Sequence, residues 1–340
     1  MKILITGSLG LVGSTASKYF LDQGHEIYGI DNNMRATFFG KDGSTTKQLK
    51  KLSGVSGYKH YKTDIRNFKK LENIFKLHKF DAIIHTAAQP SHDKAKEIPM
   101  LDFEVNAKGT LNILELTRIY SPKATFIFTS TNKVYGDNPN KVQLKETKKR
   151  FLFYDKSFEG FNESTPIDNT THSLFGTSKT SADLYVQEYG KYFGLKTTCL
   201  RLGCITGKFH AGVKLHGFIS YLVKSLKEEN SYEIIGYKGK QVRDQIHAYD
   251  LATAFEEIMK DPGVGEVFNL GGGTKNTISV LEAIHIISKK LNIKPKITYN
   301  TQNRIGDHIC YVSDIRKFQK KYPNWKISYS IDDIIDEQLT

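Results

Sequence analysis

The sequence predicts an α/β protein built on a doubly wound parallel sheet of the Rossmann type, with a smaller discontinuous C-terminal domain. An apolar run at 2–6 leads into a glycine-rich turn, an amphipathic stretch to about Asp22 and a second apolar run at 26–30. This order of strand, turn, helix and strand is a βαβ unit. Short apolar runs then alternate with helical patterns to about residue 202, as in parallel sheets with helices on both faces.

The same patterns predict the individual elements and the domain boundaries. Strands are expected at 2–6, 26–30, 58–62, 82–85, 125–128, 197–202 and 266–270, and the longer helices at 106–120 and 178–193. The alternation stops after about Gly203 and returns briefly later in the chain. We therefore expect one domain from 1–203 plus about 237–272, and a second from about 204–236 plus 273–340.

Composition excludes several classes of protein. The 340 residues carry a net charge of +13, but the lysines are scattered, which indicates a solvated surface rather than a nucleic-acid interface. No apolar run reaches the length of a membrane span, and the chain enters a strand at once, with no room for a leader. Cys199, Cys204 and Cys310 are too far apart to indicate a disulfide framework or a metal site. These features predict a cytoplasmic protein that contacts neither membrane nor nucleic acid.

The glycine turn predicts a dinucleotide site. Gly7, Gly10 and Gly13 stand between the first strand and its helix, with Leu11 and Val12 opening the helix. Glycine allows the backbone to approach a pyrophosphate, and a helix N-terminus offers amide donors. Asp31, followed by Asn32, closes the second strand, where a carboxylate binds both ribose hydroxyls and disfavours a 2′-phosphate. NAD is therefore expected rather than NADP, although Arg35 lies close by.

Two further strand ends carry candidate ligands. Asp64 and Ile65 follow the third strand, where the carboxylate could meet the adenine or simply cap a helix. The fourth strand is followed by Ala87, Ala88 and Gln89. The two alanines are small enough to let a cofactor lie against the backbone. His92, just beyond, could be a substrate ligand or an acid/base group, or an ordinary core or surface histidine.

Longer motifs carry a family resemblance. They lie at 102–106, 109–112, 129–137, 160–165, 172–179, 239–244 and 268–272, and the stretch Ser130-Thr131-Asn132-Lys133-Val134-Tyr135-Gly136 is the most discriminating. Over essentially its whole length the chain resembles the extended short-chain dehydrogenases/reductases that act as NAD-dependent nucleotide-sugar epimerases and dehydratases. Within that family it is most similar to the 2-epimerases of CDP-linked dideoxyhexoses.

The resemblance implies a mechanism and a set of site residues. NAD takes a hydride from C2 of the sugar while a base takes the hydroxyl proton, and the 2-keto sugar recovers the hydride on its other face. The implied cofactor ligands are Gly7, Gly10, Leu11, Val12, Gly13, Asp31, Asn32, Asp64, Ile65, Ala87, Ala88, Gln89, Asn106, Thr129 and Lys179. The implied substrate ligands are Gln89, Thr131, Asn132, Lys133, Arg243 and Arg304, of which the two arginines would clamp the diphosphate or, alternatively, form surface salt bridges.

Other consequences of the resemblance concern the reaction class and the assembly. Related dehydratases carry an Asp-Glu pair where this chain has Asn132 and Lys133, which cannot replace that pair in an elimination. A homodimer is implied, joined through the helices at 106–120 and 178–193. Tyr185, Tyr189 and Tyr192 form a stripe that fits such an interface or, equally, the protein's own core. Surface polysaccharide synthesis is the implied pathway, and no metal is implied.

One position departs from the family at its centre. Phe175 stands where these enzymes place their catalytic tyrosine, and Lys179 follows four residues later as usual. A Tyr-x-x-x-Lys pair works because the ammonium lowers the phenol pKa so that the phenolate accepts a proton, which a phenyl ring cannot do. Leu174 and the pair Gly203-Cys204 also depart from the family pattern. The catalytic group of residues is therefore predicted as Thr131, Phe175, Lys179 and Cys204.

Three explanations of Phe175 stay open. The tyrosine was replaced deliberately to trap a ligand, or the chain belongs to a branch whose acid/base is Cys204, His92 or Tyr135, or the protein binds NAD and a nucleotide sugar without turnover. The clustered departures favour a diverged branch. The predicted function is NAD-dependent 2-epimerisation of a CDP-sugar. The alternatives are an epimerase or oxidoreductase acting at another carbon of a UDP- or GDP-sugar, and a non-catalytic binding protein.

Overall fold

The computed structural model describes residues 1–208, 217–303 and 306–340. Its strands are β1 Lys2–Thr6, β2 Glu26–Ile30, β3 Tyr58–Tyr61, β4 Ala82–His85, β5 Thr125–Thr131, β6 Leu144–Glu146, β7 Phe151–Phe153, β8 Lys196–Leu202, β9 Cys204–Thr206, β10 Ser231–Ile235, β11 Val242–His247, β12 Glu266–Leu270, β13 Thr277–Ser279, β14 Lys296–Asn300 and β15 Cys310–Tyr311. Its α-helices are α1 Leu11–Asp22, α2 Met34–Phe39, α3 Thr46–Leu52, α4 Phe68–Leu77, α5 His92–Glu97, α6 Pro99–Phe103, α7 Gly109–Tyr120, α8 Ser173–Phe193, α9 Phe218–Glu228, α10 Ala248–Lys260, α11 Val280–Leu291, α12 Arg316–Lys321 and α13 Ile331–Leu339.

A seven-stranded parallel sheet forms the centre of the protein, in the order β12-β8-β5-β4-β1-β2-β3. The predicted doubly wound parallel sheet is thereby confirmed. The chain runs outward from β1 to β3 and then returns to place β4 on the other side of β1. The crevice above the carboxyl ends of β1 and β4 is the switch point where such sheets bind ligands.

The sheet is buried on both faces because its strands are almost continuously apolar. Ile3 and Ile5 belong to one hydrophobic cluster with α1 and α10, and Leu4 belongs to another with α4, α7 and α8. Alternate side chains of a strand point to opposite faces, so one short strand supplies both cores. This explains why the apolar runs, rather than an alternating pattern, identified these strands.

Two predicted helices differ from expectation where they begin. The segment predicted from 106 is preceded by α6 and by a π-helical turn at Glu104–Lys108 before α7 begins. The helix predicted from 178 starts at Ser173, whose φ of 63° is left-handed. The earlier start places Phe175 in the first turn of α8 rather than in the loop before it.

The second lobe is assembled from separate parts of the chain. Residues of α9, α11 and α13 share a hydrophobic cluster with Ile234 of β10 and Ile278 of β13. Around it lie the parallel pair β10–β14 and a small sheet in which β11 is flanked by β13, β15 and β9. Phe318 and Trp325, within the range predicted for the second domain, pack instead in the core of the large sheet. The exact domain boundaries stay a prediction.

Candidate active site

A cavity of about 760 Å³ runs from the carboxyl edge of the large sheet into the second lobe. Its wall includes most of the residues predicted for the site, brought together from both lobes: Gly7, Gly10, Leu11, Val12, Asp31, Asn32, Asp64, Ile65, Ala87, Ala88, Thr129, Thr131, Asn132, Lys133, Phe175, Lys179, Cys204 and Arg243. The volume is typical of a pocket for a ligand of nucleotide size. Arg304 lies outside the described residues.

The glycine turn forms the floor of this cavity. Gly7 has a φ of 67°, and a methyl group there would lie 2.8 Å from the backbone nitrogen of Ala87. A methyl group on Gly13 would lie 2.2 Å from the carbonyl oxygen of Gly7. Gly10 precedes α1 without any side-chain cap, so the first amides of that helix are open to a ligand. This backbone fits a pyrophosphate, although Gly13 itself acts by packing and lies behind the cavity wall.

Asp31 is fixed by backbone amides. Its Oδ2 accepts a hydrogen bond from the Leu9 amide (3.1 Å) and its Oδ1 accepts one from the Asn33 amide (2.7 Å). Burial raises the pKa of this carboxyl, while those two amides oppose the shift. The position suits a carboxylate that receives ribose hydroxyls. Arg35 also lines the cavity. Burial lowers the pKa of its guanidinium, and the negative charge of Asp31 opposes that shift.

Asp64 lies at the same edge but is already engaged. Arg66 donates to both carboxylate oxygens, from Nε to Oδ1 (3.1 Å) and from Nη2 to Oδ2 (2.9 Å). Asn32 Nδ2 also donates to Oδ2 (2.9 Å). Burial disfavours the charged form of this carboxylate, but Arg66 holds its pKa below the ordinary value. Asp64 therefore shapes this part of the cavity wall as a member of a charge network, with Ile65 beside it.

Gln89 and Asn106 lie behind the cavity wall. The Gln89 amide donates to Asn106 Oδ1 (2.9 Å), and Gln89 Nε2 donates to Asp102 Oδ1 (2.7 Å). Ser178 Oγ completes the network by donating to Asp102 Oδ2 (2.5 Å). The side chains of Gln89 and Asn106 thus join the loop after β4 to α8. They were predicted as ligands, and the structure places them as supports for the wall.

Lys179 projects from α8 toward the end of β5. Its Nζ donates to the carbonyl oxygen of Thr129 (2.8 Å) and lies 4.0 Å from the ring centre of Phe128. Burial lowers the pKa of this amine to about 8, against the opposing charges of Asp183, Cys199 and Asp102. Lys179 therefore stays cationic at neutral pH, although its ammonium group has little contact with solvent.

Phe175 faces the same cavity one helical turn before Lys179. Its side chain is buried, at 9% exposure, in the first turn of α8. Thr131 lies opposite, at the end of β5, and its Oγ1 accepts a hydrogen bond from the Lys133 amide (3.2 Å). The aromatic ring keeps the shape of the missing tyrosine without its hydroxyl.

Three charged groups meet where the two lobes join. Lys133 Nζ donates to the carbonyl oxygen of Gly306 (2.9 Å) and to Asp307 Oδ1 (3.2 Å), and Arg243 Nη2 donates to the same Oδ1 (2.7 Å). Although burial opposes ionisation of Asp307, Arg243 and Lys133 hold its pKa far below the ordinary value. Two cations against one carboxylate leave a net positive site, which suits a diphosphate. Sequence reasoning overlooked Asp307, whose only signal was its place after Arg304-Ile305-Gly306.

The structure separates the three candidates for a relocated acid/base. Tyr135 is fully buried, its hydroxyl donates to Asn269 Oδ1 (2.6 Å) and accepts from Arg201 Nη1 (3.2 Å), and burial raises its pKa to about 12. It lies in the protein core, away from the cavity wall. Cys204 and His92 both line the cavity. Burial raises the pKa of the Cys204 thiol to about 11, against the charges of Arg243 and Lys133.

Two further searches concern only the described ranges 1–208, 217–303 and 306–340. Within them, no group of three or more His, Cys, Asp or Glu side chains is arranged to hold a metal ion. No helix in the same ranges is both long and apolar enough to span a membrane.

Comparison with known proteins links this geometry to a family. The profile of the NAD dependent epimerase/dehydratase family matches residues 3–271. The chain is 33% identical to CDP-paratose 2-epimerase of Salmonella typhi over 93% of this chain and 92% of that protein. It is 29% identical to UDP-glucuronate 4-epimerase of Thermodesulfobacterium geofontis, over 97% and 92% of the two chains. The crystal structure of dTDP-glucose 4,6-dehydratase from Bacillus anthracis in complex with NAD superposes with a TM-score of 0.78 at 25% identity, covering 100% of this chain and 95% of that one.

Proposed function

The chain belongs to the NAD-dependent epimerase/dehydratase family, an NAD-using family of nucleotide-sugar enzymes, and on that premise we propose that it is a 2-epimerase of a CDP-linked dideoxyhexose. The observation that carries the proposal is the wall of the cavity. Its cofactor half keeps the glycine turn, Asp31 and Lys179, while its sugar half has Asn132 and Lys133 where a dehydratase needs two carboxyl groups. Reversible oxidation remains possible in such a site, whereas elimination has no acid/base pair.

The roles of the residues follow from their positions. NAD, when bound, supplies a hydride acceptor that is regenerated in each cycle. Gly7, Gly10 and the start of α1 hold its pyrophosphate, and Asp31 receives its ribose hydroxyls. Lys179 places a cation beside the reacting end. Thr131 orients the sugar hydroxyl, and Arg243 with Lys133 binds the diphosphate in the proposed complex.

The preference for cytidine is supported by the far wall of the cavity. Ser231 and Glu233 of β10 pair in register with Lys296 and Thr298 of β14, and all four residues line the cavity. Residues paired in register lie on the same face of a sheet, so their side chains share one surface. A carboxylate accepts a hydrogen bond from the exocyclic amine of cytosine and is repelled by the carbonyl oxygen of uracil. We propose that Glu233 makes this distinction.

A turnover assay tests the proposal directly. The natural chain and Phe175→Tyr are each incubated with NAD and a panel of CDP-, UDP- and GDP-sugars, and the ring-proton couplings of the sugar are followed by NMR. Inversion at C2 of a CDP-sugar is the expected result. Inversion at another carbon or on another nucleotide assigns the chain to a different epimerase reaction.

One observation favours a second function. Phe175 removes the group that exchanges the hydroxyl proton in relatives, so the chain could instead bind NAD and a nucleotide sugar without turnover. In that case the natural chain binds both ligands in calorimetry and inverts no carbon, while Phe175→Tyr gains activity. Retention of the buried, cationic Lys179 weighs against this alternative. Burying a charged group destabilises the fold, and a protein that only binds its ligands has little need of such a group at this position.

We also propose that the protein forms a homodimer. We further propose that it acts in the cytoplasm, in the synthesis of surface polysaccharides. Exposed apolar side chains lie on two elements that pack against each other, with Met100 and Phe103 on α6 and Tyr185 and Tyr192 on α8. Tyr189 differs from its neighbours in the stripe, because its hydroxyl donates to Glu115 within the chain (3.1 Å). Sedimentation of the natural chain against Tyr192→Glu tests this interface; a dimer is expected for the first and a monomer for the second.

A further inference from the structure

We propose that the imidazole of His92 is the acid/base that takes the place of the missing tyrosine hydroxyl. The inference rests on the proposed epimerase function and identifies the residue that exchanges the proton. It answers the question that Phe175 raises, because a redox epimerase needs a group to accept the hydroxyl proton as the carbon is oxidised.

The first argument is where His92 lies. It is the first residue of α5, directly after the loop that joins β4 to the cavity wall, and α5 packs against α8. A methyl group on Gly306 would lie 2.9 Å from His92 Nε2 and 3.3 Å from Cβ of Ser173. Ser173 is two residues before Phe175, so the imidazole stands beside the first turn of α8.

The second argument is what surrounds the ring. Across Gly306 lie Lys133, whose Nζ binds the Gly306 carbonyl oxygen, and Asp307. Gly306 therefore brings His92 close both to the proposed diphosphate site and to the first turn of α8, which carries Phe175. Asp93, the next residue on α5, also lines the cavity. Imidazole is the side chain that most often serves as a general acid/base, which favours His92 over its neighbour.

The third argument is the state of the other candidates. The hydroxyl of Tyr135 is used within the core, and the cavity wall does not include it. The thiol of Cys204 is held in its neutral form by burial, with a pKa of about 11. Lys179 is already engaged with the Thr129 carbonyl oxygen and the Phe128 ring. Of the three candidates for a relocated acid/base, His92 therefore combines a place on the cavity wall with a side chain that can both accept and donate a proton.

The proposed step balances. NAD, held by the glycine turn and Asp31 when bound, would accept the electron pair of the carbinol C–H bond as hydride. The O–H bond breaks with its proton passing to the imidazole, which leaves a keto sugar and an imidazolium. After the keto sugar has presented its other face, the hydride returns to carbon and the imidazolium returns the proton to oxygen. No net oxidant or reductant is consumed.

The test combines loss and rescue. His92→Gln is expected to lower kcat by about 10²- to 10⁴-fold, the usual contribution of a positioned general base. Adding Phe175→Tyr to this variant restores turnover if the two groups serve the same proton, and imidazole in the buffer restores turnover to His92→Ala. His285→Gln is the matched control, since His285 is exposed on α11, and its kcat is expected to be unchanged.

A binding experiment gives a readout that does not depend on turnover. Histidine-ring NMR of the protein with NAD bound should show the His92 resonances shifting with a CDP-sugar but much less with CDP alone. Retained NAD content and CDP affinity in His92→Gln show that the variant is folded.

The outcomes separate the two proposals. Activity in His92→Gln within about threefold of the natural chain overturns the role of His92 and leaves the epimerase function standing. Loss of activity that neither Phe175→Tyr nor imidazole repairs also overturns it, because His92 then acts structurally. If the natural chain turns over none of the sugars while Phe175→Tyr does, both proposals fall together.

Discussion

The two halves of the cavity differ in how far they depart from the family pattern. The cofactor half, made by β1, β2 and the start of α1, keeps the glycine turn and Asp31 with backbone geometry that leaves no space for larger side chains. The sugar half combines Phe175, Cys204 and the cluster of Lys133, Arg243 and Asp307. Cofactor binding depends on backbone shape, which tolerates little change, whereas substrate chemistry depends on a few side chains that can be exchanged.

Lys179 connects the two halves, and its removal should have the largest effect. Lys179→Met is expected to lower kcat by about 10²- to 10⁴-fold, because the site loses the cation beside the reacting end. The same change should raise the unfolding temperature, since the buried ammonium is held against a pKa lowered to about 8 from 10.5. At about 1.4 kcal/mol per pKa unit, that burial destabilises the fold by roughly 3 kcal/mol below pH 8.

The pH dependence of stability checks the sign of this effect. Below pH 8 both the folded and the unfolded chain carry the Lys179 proton, so the penalty is complete. Between pH 8 and 10.5 the folded chain releases the proton and the unfolded chain keeps it, so stability from this group rises with pH. Denaturant unfolding of the natural chain, compared with Lys179→Met, should show the difference shrinking over this range. Lys191→Met, an exposed lysine on the same helix, is the control. An unchanged difference at pH 7 and 10.5 contradicts the assignment.

A change confined to the sugar half should leave the cofactor half intact. Arg243→Ala is expected to raise KM for the nucleotide sugar by about 10- to 100-fold, which is the value of one or two charge-assisted hydrogen bonds. NAD affinity, measured by calorimetry, should not change. Arg316→Ala, which removes an exposed arginine, serves as the control. A parallel loss of NAD affinity in Arg243→Ala shows that the halves are coupled and contradicts the comparison.

The same contrast explains what the sequence could predict. The glycine turn, the start of α1 and Asp31 lie within the first 31 residues, so this part of the cofactor half is visible as one local pattern. The sugar half joins residues that are distant in the chain. Lys133 and Asp307 are 174 positions apart, and Arg243 and Asp307 are 64 apart. No local periodicity reveals such a pairing, which is why Asp307 was overlooked.

Local sequence was also insufficient for two supporting features. The network of Gln89, Asn106 and Asp102 includes a residue of the π-helical turn at Glu104–Lys108, and an ordinary 3.6-residue pattern does not reveal that turn. Helix α8 starts at Ser173, a residue other than glycine whose backbone adopts the left-handed conformation. The fold class, the strands of the large sheet and the glycine turn were predictable because continuous apolar runs and glycine spacing indicate them directly.

Asp31 provides a smaller test, now in the cofactor half. Asp31→Asn is expected to weaken NAD binding by about tenfold, because a neutral amide accepts ribose hydroxyls less strongly than a carboxylate does. The preference for NAD over NADP should narrow as well, since the negative charge that repels a 2′-phosphate is lost next to Arg35. Calorimetry with both cofactors measures the two effects. Asp42→Asn, an exposed carboxylate paired with Lys224, should change neither. Unaltered NAD affinity in Asp31→Asn would place the ribose elsewhere.

An effect no larger than that of Asp31→Asn is expected at the far wall of the sugar half. Glu233→Gln should reduce the preference for CDP-sugars over UDP-sugars by about tenfold in kcat/KM, within the 1–3 kcal/mol typical of a base-edge contact. The change keeps the size of the side chain, so the cavity wall of β10 and β14 should hold its shape. Because the amide of glutamine can donate to the uracil carbonyl oxygen, activity on UDP-sugars should rise while that on CDP-sugars falls. An equal loss on both substrates assigns Glu233 to the architecture of the wall, and the source of the cytidine preference then lies elsewhere in the second lobe.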